Sequence, residues 1–227
     1  MICRVIIPAL NEEGSIAKVI HDIPKDIVQE IIVVDNGSTD HTAKVAVAAG
    51  ATVLTETEKG YGAACLLGIE HVRDKAPNTD LIVFLDADYS DHPEELSLVI
   101  APIIDHNFDM VIGSRALGVR QRGSLTPVQV FGNWLSTKLL GVIYGAKFTD
   151  LGPFRAIKFE KLLALDMQDR NYGWTVEMQV KAAKQKLKFT EVPVSYRNRI
   201  GKSKVSGTLK GSILAGHKIL YTIFKNI

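Results

Sequence analysis

The chain of 227 residues has few of the features that mark secreted or membrane-spanning proteins. Its two cysteines, Cys3 and Cys65, cannot build a disulfide framework, which points to a reducing compartment. Both read as buried apolar residues. The opening Met1-Ile2-Cys3-Arg4-Val5-Ile6-Ile7 lacks the basic start and long apolar run of a secretory leader, so none is expected. No stretch approaches eighteen uninterrupted apolar residues, and no spanning helix is expected despite a mean hydropathy of +0.10. The six histidines show no metal-ligand spacing, and there are no internal repeats or low-complexity tracts. Gly60-Tyr61-Gly62-Ala63-Ala64 does not make a dinucleotide fingerprint, because that motif belongs in the first βα turn and position 65 is Cys. A phosphate-binding loop of the P-loop type is absent too. Disorder is excluded by 46% hydrophobic residues and a net charge of only +2. The length suits one large domain or two small ones.

That small net charge conceals a strong polarity. From Lys181 onward there are eleven basic residues and one acid, Glu191, whereas residues 1–180 carry sixteen basic and twenty-four acidic residues. A basic final fifth implies an anionic partner: phosphate, membrane surface or nucleic acid. Nucleic acid is disfavoured, since the tail has no reader motif and no interleaved aromatic platform.

Short runs rich in Val and Ile at 4–7, 30–34, 52–55 and 81–85 read as strands, and 15–23, 39–49 and 61–73 read as helices between them. Near-continuous hydrophobicity in the strands suits a sheet covered on both faces, and the alternation predicts parallel pairing with right-handed crossovers. A helix at 94–105 and a strand at 109–112 follow, with Asp91 or His92 as cap and Pro93 in the first turn. Beyond Arg115 we expect a polar connection at 118–127, a helix at 128–144 and a turn-rich segment at 150–156. A helix at 174–185, an edge strand at 189–196 carrying Pro193, a basic loop at 197–204 and an amphipathic helix at 209–224 complete the reading.

Parallel sheets bind ligands beyond the carboxyl ends of their strands. Three such ends carry acids: Asn11-Glu12-Glu13, Asp35-Asn36-Gly37-Ser38-Thr39-Asp40 and Asp86-Ala87-Asp88. Any one of them can be read as helix capping; their recurrence on one rim favours a ligand site. Asp86 and Asp88, two residues apart after an apolar strand, can offer oxygen ligands to Mg²⁺ or Mn²⁺. Gly60 and Gly62 let backbone approach a ligand or a neighbouring helix.

Taken in order, Ile7-Pro8-Ala9-Leu10-Asn11-Glu12, Val34-Asp35-Asn36-Gly37-Ser38-Thr39-Asp40, Lys59-Gly60-Tyr61-Gly62 and Asp86-Ala87-Asp88 resemble the family 2 glycosyltransferases. Gly113-Ser114-Arg115, Asp150-Leu151-Gly152-Pro153-Phe154-Arg155 and Val192-Pro193-Val194, with Arg199-x-Gly201-x-Ser203-Lys204, are similar to the polyprenyl-phosphate branch of dolichyl-phosphate mannose and glucose synthases. The resemblance implies a GT-A fold, a Rossmann-like, mostly parallel sheet flanked by helices. Residues 1–115 would form the nucleotide-sugar-binding half, 116–206 the acceptor-binding half of the same domain, and 207–227 an amphipathic C-terminal helix. It assigns Pro8, Asn11, Glu12, Gly60 and Gly62 to the nucleotide-sugar pocket and Asp35 to the base. Asp86 would reach ribose or metal, and Asp88 the metal that bridges the diphosphate. Ser90 stands where several relatives carry a Gln that assists the metal.

A lipid-phosphate acceptor is already anionic, so positioning cations matter more than a strong base. Arg115, Arg197, Arg199, Lys202, Ser203 and Lys204 are the expected acceptor-phosphate residues, and the contact made by an arginine that mannosyl relatives carry before Asn133 is either lost or supplied by Arg120 or Arg122. Asp88, Asp150, Arg115 and Glu177 are the expected catalytic residues. Asp150 reads equally as a turn cap and Glu177 as an ion-pair partner. The expected partners are a UDP-glucose- or GDP-mannose-type donor, a polyprenyl phosphate and a membrane surface. The expected location is cytoplasmic, peripheral on the inner face of the cytoplasmic membrane, with the 209–224 helix lying on the leaflet or packed on the core. Two rivals remain at this point. One is a transferase with a saccharide or other hydroxyl acceptor, using Asp150 or Glu177 as base; the other is a noncatalytic membrane-surface binder. Sequence does not decide between glucose and mannose, although the 150–155 motif slightly favours glucose, and oligomeric state is left open.

Overall fold

A computed structural model describes residues 1–201 and 209–227. Its centre is β1 (Cys3–Ala9), parallel to β2 (Val28–Asp35) on one side and to β4 (Leu81–Phe84) on the other. Successive β1 side chains serve opposite faces. Val5 and Ile7 pack with Ile16, Val19 and Leu96, from α1 (Ile16–Asp22) and α4 (Leu96–His106). Ile6 packs on the opposite face, with Ala64 and Ile69 of α3 (Tyr61–Lys75). Helices on both faces explain why these strands are continuously apolar. The thiols of Cys3 and Cys65 are buried in these two cores, and burial pushes Cys3 up to about 12 and Cys65 well above its ordinary value.

With α2 (Thr42–Ala48), β3 (Thr52–Thr55) and β5 (Met110–Ser114), the first half follows the expected alternation. The full sheet has the order β3-β2-β1-β4-β6-β5-β7. This mostly parallel, helix-flanked sheet is the GT-A arrangement. β6 (Arg155–Lys158) and β7 (Phe189–Pro193) come from the second half, so the two halves share one sheet. The edge strand β7 (Phe189–Pro193) is parallel to β5 and holds Pro193 against Ser114.

One strand departs from the sequence expectation. β6 (Arg155–Lys158) runs antiparallel between β4 and β5, where a turn-rich segment was expected, and is followed by α6 (Phe159–Leu165), also unanticipated. With charged residues at both ends and only Ala156-Ile157 between, β6 has no apolar run to betray it. Its direction has a functional consequence: β6 begins on the rim where β1, β2, β4 and β5 finish, which delivers residues 150–154 to that rim.

The remaining helices, α5 (Pro127–Tyr144), α7 (Trp174–Lys184) and α8 (Leu209–Lys225), cover the sheet around the rim. A capping box starts α5: Thr126 accepts from the backbone of Gln129, whose side chain accepts from Thr126 N. α8 packs against α5 and α7, and Tyr144 donates to Ile223 O at 2.5 Å. Among the described residues, no helix is long and apolar enough to cross a membrane.

Candidate active site

The strand ends surround a cavity of about 770 Å³. Pro8 and Glu12 reach it from β1, Asn36 from β2, Gly60 and Tyr61 from the start of α3, and Asp86 and Asp88 from β4. Arg115, Tyr196 and Arg199 close another side. The wall provided by α5, α8 and the loop before α5 is apolar, with Leu125, Val128, Phe131, Leu135, Ile219 and Leu220.

Local hydrogen bonds fix the acids at the ends of β1 and β4. Asp88 Oδ1 accepts from Ser90 N at 2.9 Å and Ser90 Oγ at 2.5 Å, which leaves Oδ2 toward Arg199 Nη1 at 3.1 Å. Ser90 thus holds the second Asp of the pair. Glu12 Oε1 meets the same guanidinium at 2.8 Å, and Oε2 accepts from Ser15 Oγ at 2.9 Å. Asp86 Oδ1 is buried without a hydrogen-bond partner. Burial, then the charge of Asp88, push the Asp86 carboxyl up to about 7. Asp91, expected only as a possible helix cap, is buried behind them; its Oδ2 accepts from Asp86 N at 3.4 Å, and burial and its acidic neighbours raise it well above the ordinary range. The spacing Asp86-x-Asp88-x-x-Asp91 was the available signal for this third acid.

Several expected donor residues act from behind the wall. Asn11, in left-handed backbone at φ 53, accepts from Thr39 N at 2.7 Å, while its own N donates to Ser38 Oγ at 2.9 Å, stapling β1 to the turn after β2. Asp35 does not line the cavity, and its Oδ1 is buried without a hydrogen-bond partner. Gly60 and Gly62 sit under the 169–171 loop: a Cβ on Gly60 would lie 2.0 Å from Arg170 O, and one on Gly62 1.9 Å from Asp169 O. Gly62 therefore serves close backbone packing, while Gly60 also reaches the cavity.

Arg115 and Asp150 form a buried fork. Asp150 Oδ2 accepts from Arg115 N at 2.7 Å and Nε at 2.8 Å, and Oδ1 accepts from Nη2 at 2.7 Å. Burial alone would raise Asp150, but the Arg115 charge and these bonds hold it below its ordinary value. Burial opposes the Arg115 charge in turn, and Asp150 outweighs it, raising Arg115. The fork is braced by Glu191, which accepts from Asp150 N at 3.1 Å, and by Asn133, whose amide links Thr149 O and Leu151 N. Sequence reasoning missed Arg155 as a site-building residue. It is fully buried and donates to Gly152 O at 3.1 Å and Thr175 O at 2.9 Å, tying β6 to the turn beneath the fork. Burial lowers its pKa to about 10.

Glu177 lies outside the cavity wall. Its carboxylate accepts from Gln168 N at 3.0 Å and Asp169 N at 2.7 Å and pairs with Lys181 at 2.8 Å, so it anchors the 168–173 loop. Arg197 is also outside the wall: its guanidinium stacks 3.6 Å from the Tyr89 ring centroid and donates to Asp91 O at 2.9 Å. Arg120 and Arg122 line a separate recess of about 220 Å³. Lys202, Ser203 and Lys204 lie outside the described residues.

Among the described residues, no three His, Cys, Asp or Glu side chains converge as a ready-made metal cage. The unpartnered Asp86 Oδ1 and the outward Asp88 Oδ2 nevertheless fit Mg²⁺ or Mn²⁺, which accept one or two carboxylates with phosphate oxygens and water completing the shell.

The chain is similar in sequence and fold to known proteins. An uncharacterised glycosyltransferase of Mycobacterium tuberculosis is 37% identical over 93% of each chain. The undecaprenyl-phosphate mannosyltransferase of Micrococcus luteus is 29% identical over 91% of this chain and 88% of its own. In structure, glucosyl-3-phosphoglycerate synthase of Mycobacterium tuberculosis, crystallised with Mn²⁺, UDP-glucose and phosphoglyceric acid, superposes with a TM-score of 0.77 at 23% identity, covering 99% of this chain and 79% of that one. The family model described as Glycosyl transferase family 2 matches residues 4–165, carrying every donor-side acid described above, and the chain belongs to that family.

Proposed function

We propose that this transferase moves a hexosyl group from a UDP- or GDP-sugar to the phosphate of a polyprenyl phosphate, with inversion at the anomeric carbon. The observation that carries the reading is the state of the acceptor side: Asp150 is consumed by Arg115 and held ionised, and Glu177 is turned into the 168–173 loop. A hydroxyl acceptor would need a base there, whereas a phosphate oxygen brings its own charge. Beside Arg115 the wall is apolar, which suits a prenyl chain. The Micrococcus luteus relative is named for an acceptor of this class.

In this reading residues 1–115 hold the donor and 116–206 the acceptor. An oxygen of the lipid phosphate forms the new bond to the anomeric carbon as the bond to the β-phosphate oxygen breaks, and the nucleoside diphosphate leaves with the electron pair. Asp86 and Asp88 would hold the divalent cation, whose Lewis acidity stabilises the charge growing on the leaving diphosphate. Arg115 orients the incoming phosphate, and Asp150 keeps that guanidinium charged and pointed. Incubating the chain and Mn²⁺ with labelled UDP-glucose or GDP-mannose should label undecaprenyl phosphate and leave phosphoglyceric acid unlabelled. Label in phosphoglyceric acid alone would overturn the acceptor assignment.

The same reading places the chain peripherally on the inner face of the cytoplasmic membrane. Trp134 and Phe131, 53% and 60% exposed with ring centroids 5.8 Å apart on α5, would enter the interface. Tyr221 and Phe224 of α8 are exposed as well, and residues 110–149 contain five basic residues and no acid. The other tryptophan, Trp174, is buried, so emission separates the two. Vesicles containing phosphatidylglycerol should shift Trp emission to the blue in Trp174→Phe but not in Trp134→Phe. Unchanged emission in Trp174→Phe would remove the membrane from the reading.

A further inference from the structure

We infer that Arg199 is a positioning residue: it is the resident counter-ion of Glu12 and Asp88 and is exchanged for the divalent cation when the donor binds, releasing its guanidinium toward the diphosphate. The inference rests on the reading of Asp88 as a cation ligand.

Glu12 and Asp88 follow different strands, and both are buried. Two carboxylates in such a place need a neighbouring cation, because desolvation penalises each charge. Arg199 supplies it, with Nη2 at 2.8 Å from Glu12 and Nη1 at 3.1 Å from Asp88. Ser90 has already taken the other Asp88 oxygen, so a dication that uses Asp88 must come to the oxygen that Arg199 faces. At about 4 Å a guanidinium and a dication repel strongly even through a well-screened medium, so the two compete for that oxygen.

The present position also leaves the guanidinium incompletely used. Arg199 Nε is buried without a hydrogen-bond partner, although a guanidinium has five donors shaped for carboxylate or phosphate. An anionic diphosphate entering beside it offers the missing acceptors. The backbone around Arg199 is pinned independently of its side chain: Arg197 N donates to Ser90 O at 2.9 Å, Ile200 N donates to Asp88 O at 3.0 Å, and the Arg197 guanidinium lies over Tyr89. The side chain can therefore rotate about a fixed backbone and exchange partners while the loop keeps its place. The first arginine of the Arg199-x-Gly201-x-Ser203-Lys204 motif thus belongs to the donor carboxylates before it serves any phosphate.

The test is Mn²⁺ binding to the nucleotide-free full chain, followed by the electron paramagnetic resonance of free Mn²⁺. Arg199→Gln should bind Mn²⁺ at least about tenfold more tightly than the parent, since a competing charge is gone. Arg199→Lys, which keeps one charge but cannot fork across two carboxylates, should lie between them. With Mn²⁺ saturating, UDP or GDP should bind Arg199→Gln several-fold more weakly, because the released guanidinium is missing. A purely structural role would not strengthen one ligand and weaken the other. If Asp88→Asn abolishes Mn²⁺ binding while both Arg199 variants bind it no more tightly than the parent, the exchange is wrong and the ligand assignment stands. If Asp88→Asn binds Mn²⁺ as the parent does, the ligand assignment falls and takes the exchange with it.

Discussion

Asp88→Ala should lower sugar transfer by about a thousandfold or more while leaving a folded protein. The activity loss follows from the place of the carboxylate. Removing one preorganised stabiliser of developing charge typically costs about a hundred- to a thousandfold in rate, and Asp88, which shares the cavity wall with Asp86 and Glu12, is with Asp86 one of the pair proposed to hold the cation. The fold should survive because Asp88 is electrostatically unwelcome where it sits. Its charge raises both Asp86 and Asp91, so deleting it relieves repulsion inside a buried acidic cluster. The lost bonds from Ser90 and Arg199 act in the opposite direction, and Arg199 keeps Glu12. Thermal denaturation within a few degrees of the parent, with transfer of label to lipid near background, is the expected pair of results. Substantial Mn²⁺-dependent transfer by Asp88→Ala would defeat the assignment of the donor site.

The difference between this donor side and the acceptor side is also the difference between what the sequence discloses and what it hides. Asp35, Asp86 and Asp88 stand at the ends of continuously apolar strands, and a parallel sheet puts such ends on one rim, so their convergence follows from local pattern alone. The first five strands and their helices were legible for the same reason. β6 was not, because its four residues carry no periodic signal and its antiparallel placement depends on a gap between β4 and β5 that only the assembled sheet creates. Arg199 is the sharper case. Its pairing with Glu12 joins residues 187 positions apart, and nothing near either one announces the other. The family resemblance pointed it toward a phosphate; proximity gave it to two carboxylates. Glu177 shows the converse: an acid read either as catalytic or as an ion-pair partner spends its lone pairs on the backbone N–H groups of Gln168 and Asp169 and on Lys181.

Asp150→Ala should be the most destabilising single change in the site, lowering stability by about 3–5 kcal/mol. The cause is the Arg115 guanidinium rather than the lost carboxylate itself. Arg115 is nearly as enclosed as Asp150, with side-chain exposures of 12% and 2%, and without Asp150 it keeps its charge in a place with no other acid at bonding distance among the described residues. In a domain of this size such a loss lowers Tm by on the order of 10 °C. Asp150→Asn keeps acceptor capacity and shape but not charge, so it should fall between the two. Removing both charges, as in Arg115→Met with Asp150→Ala, should recover much of the stability, because a buried pair replaced by apolar groups is often nearly neutral. Transfer should not recover with it, since on the proposed reading the double variant lacks the cation that orients the acceptor phosphate. That divergence between melting temperature and activity separates the part of the loss in Asp150→Ala that comes from stability from the part that comes from transfer. Were Asp150→Ala to melt with the parent and still transfer sugar at the parent rate, the fork would have neither the structural nor the functional weight assigned to it.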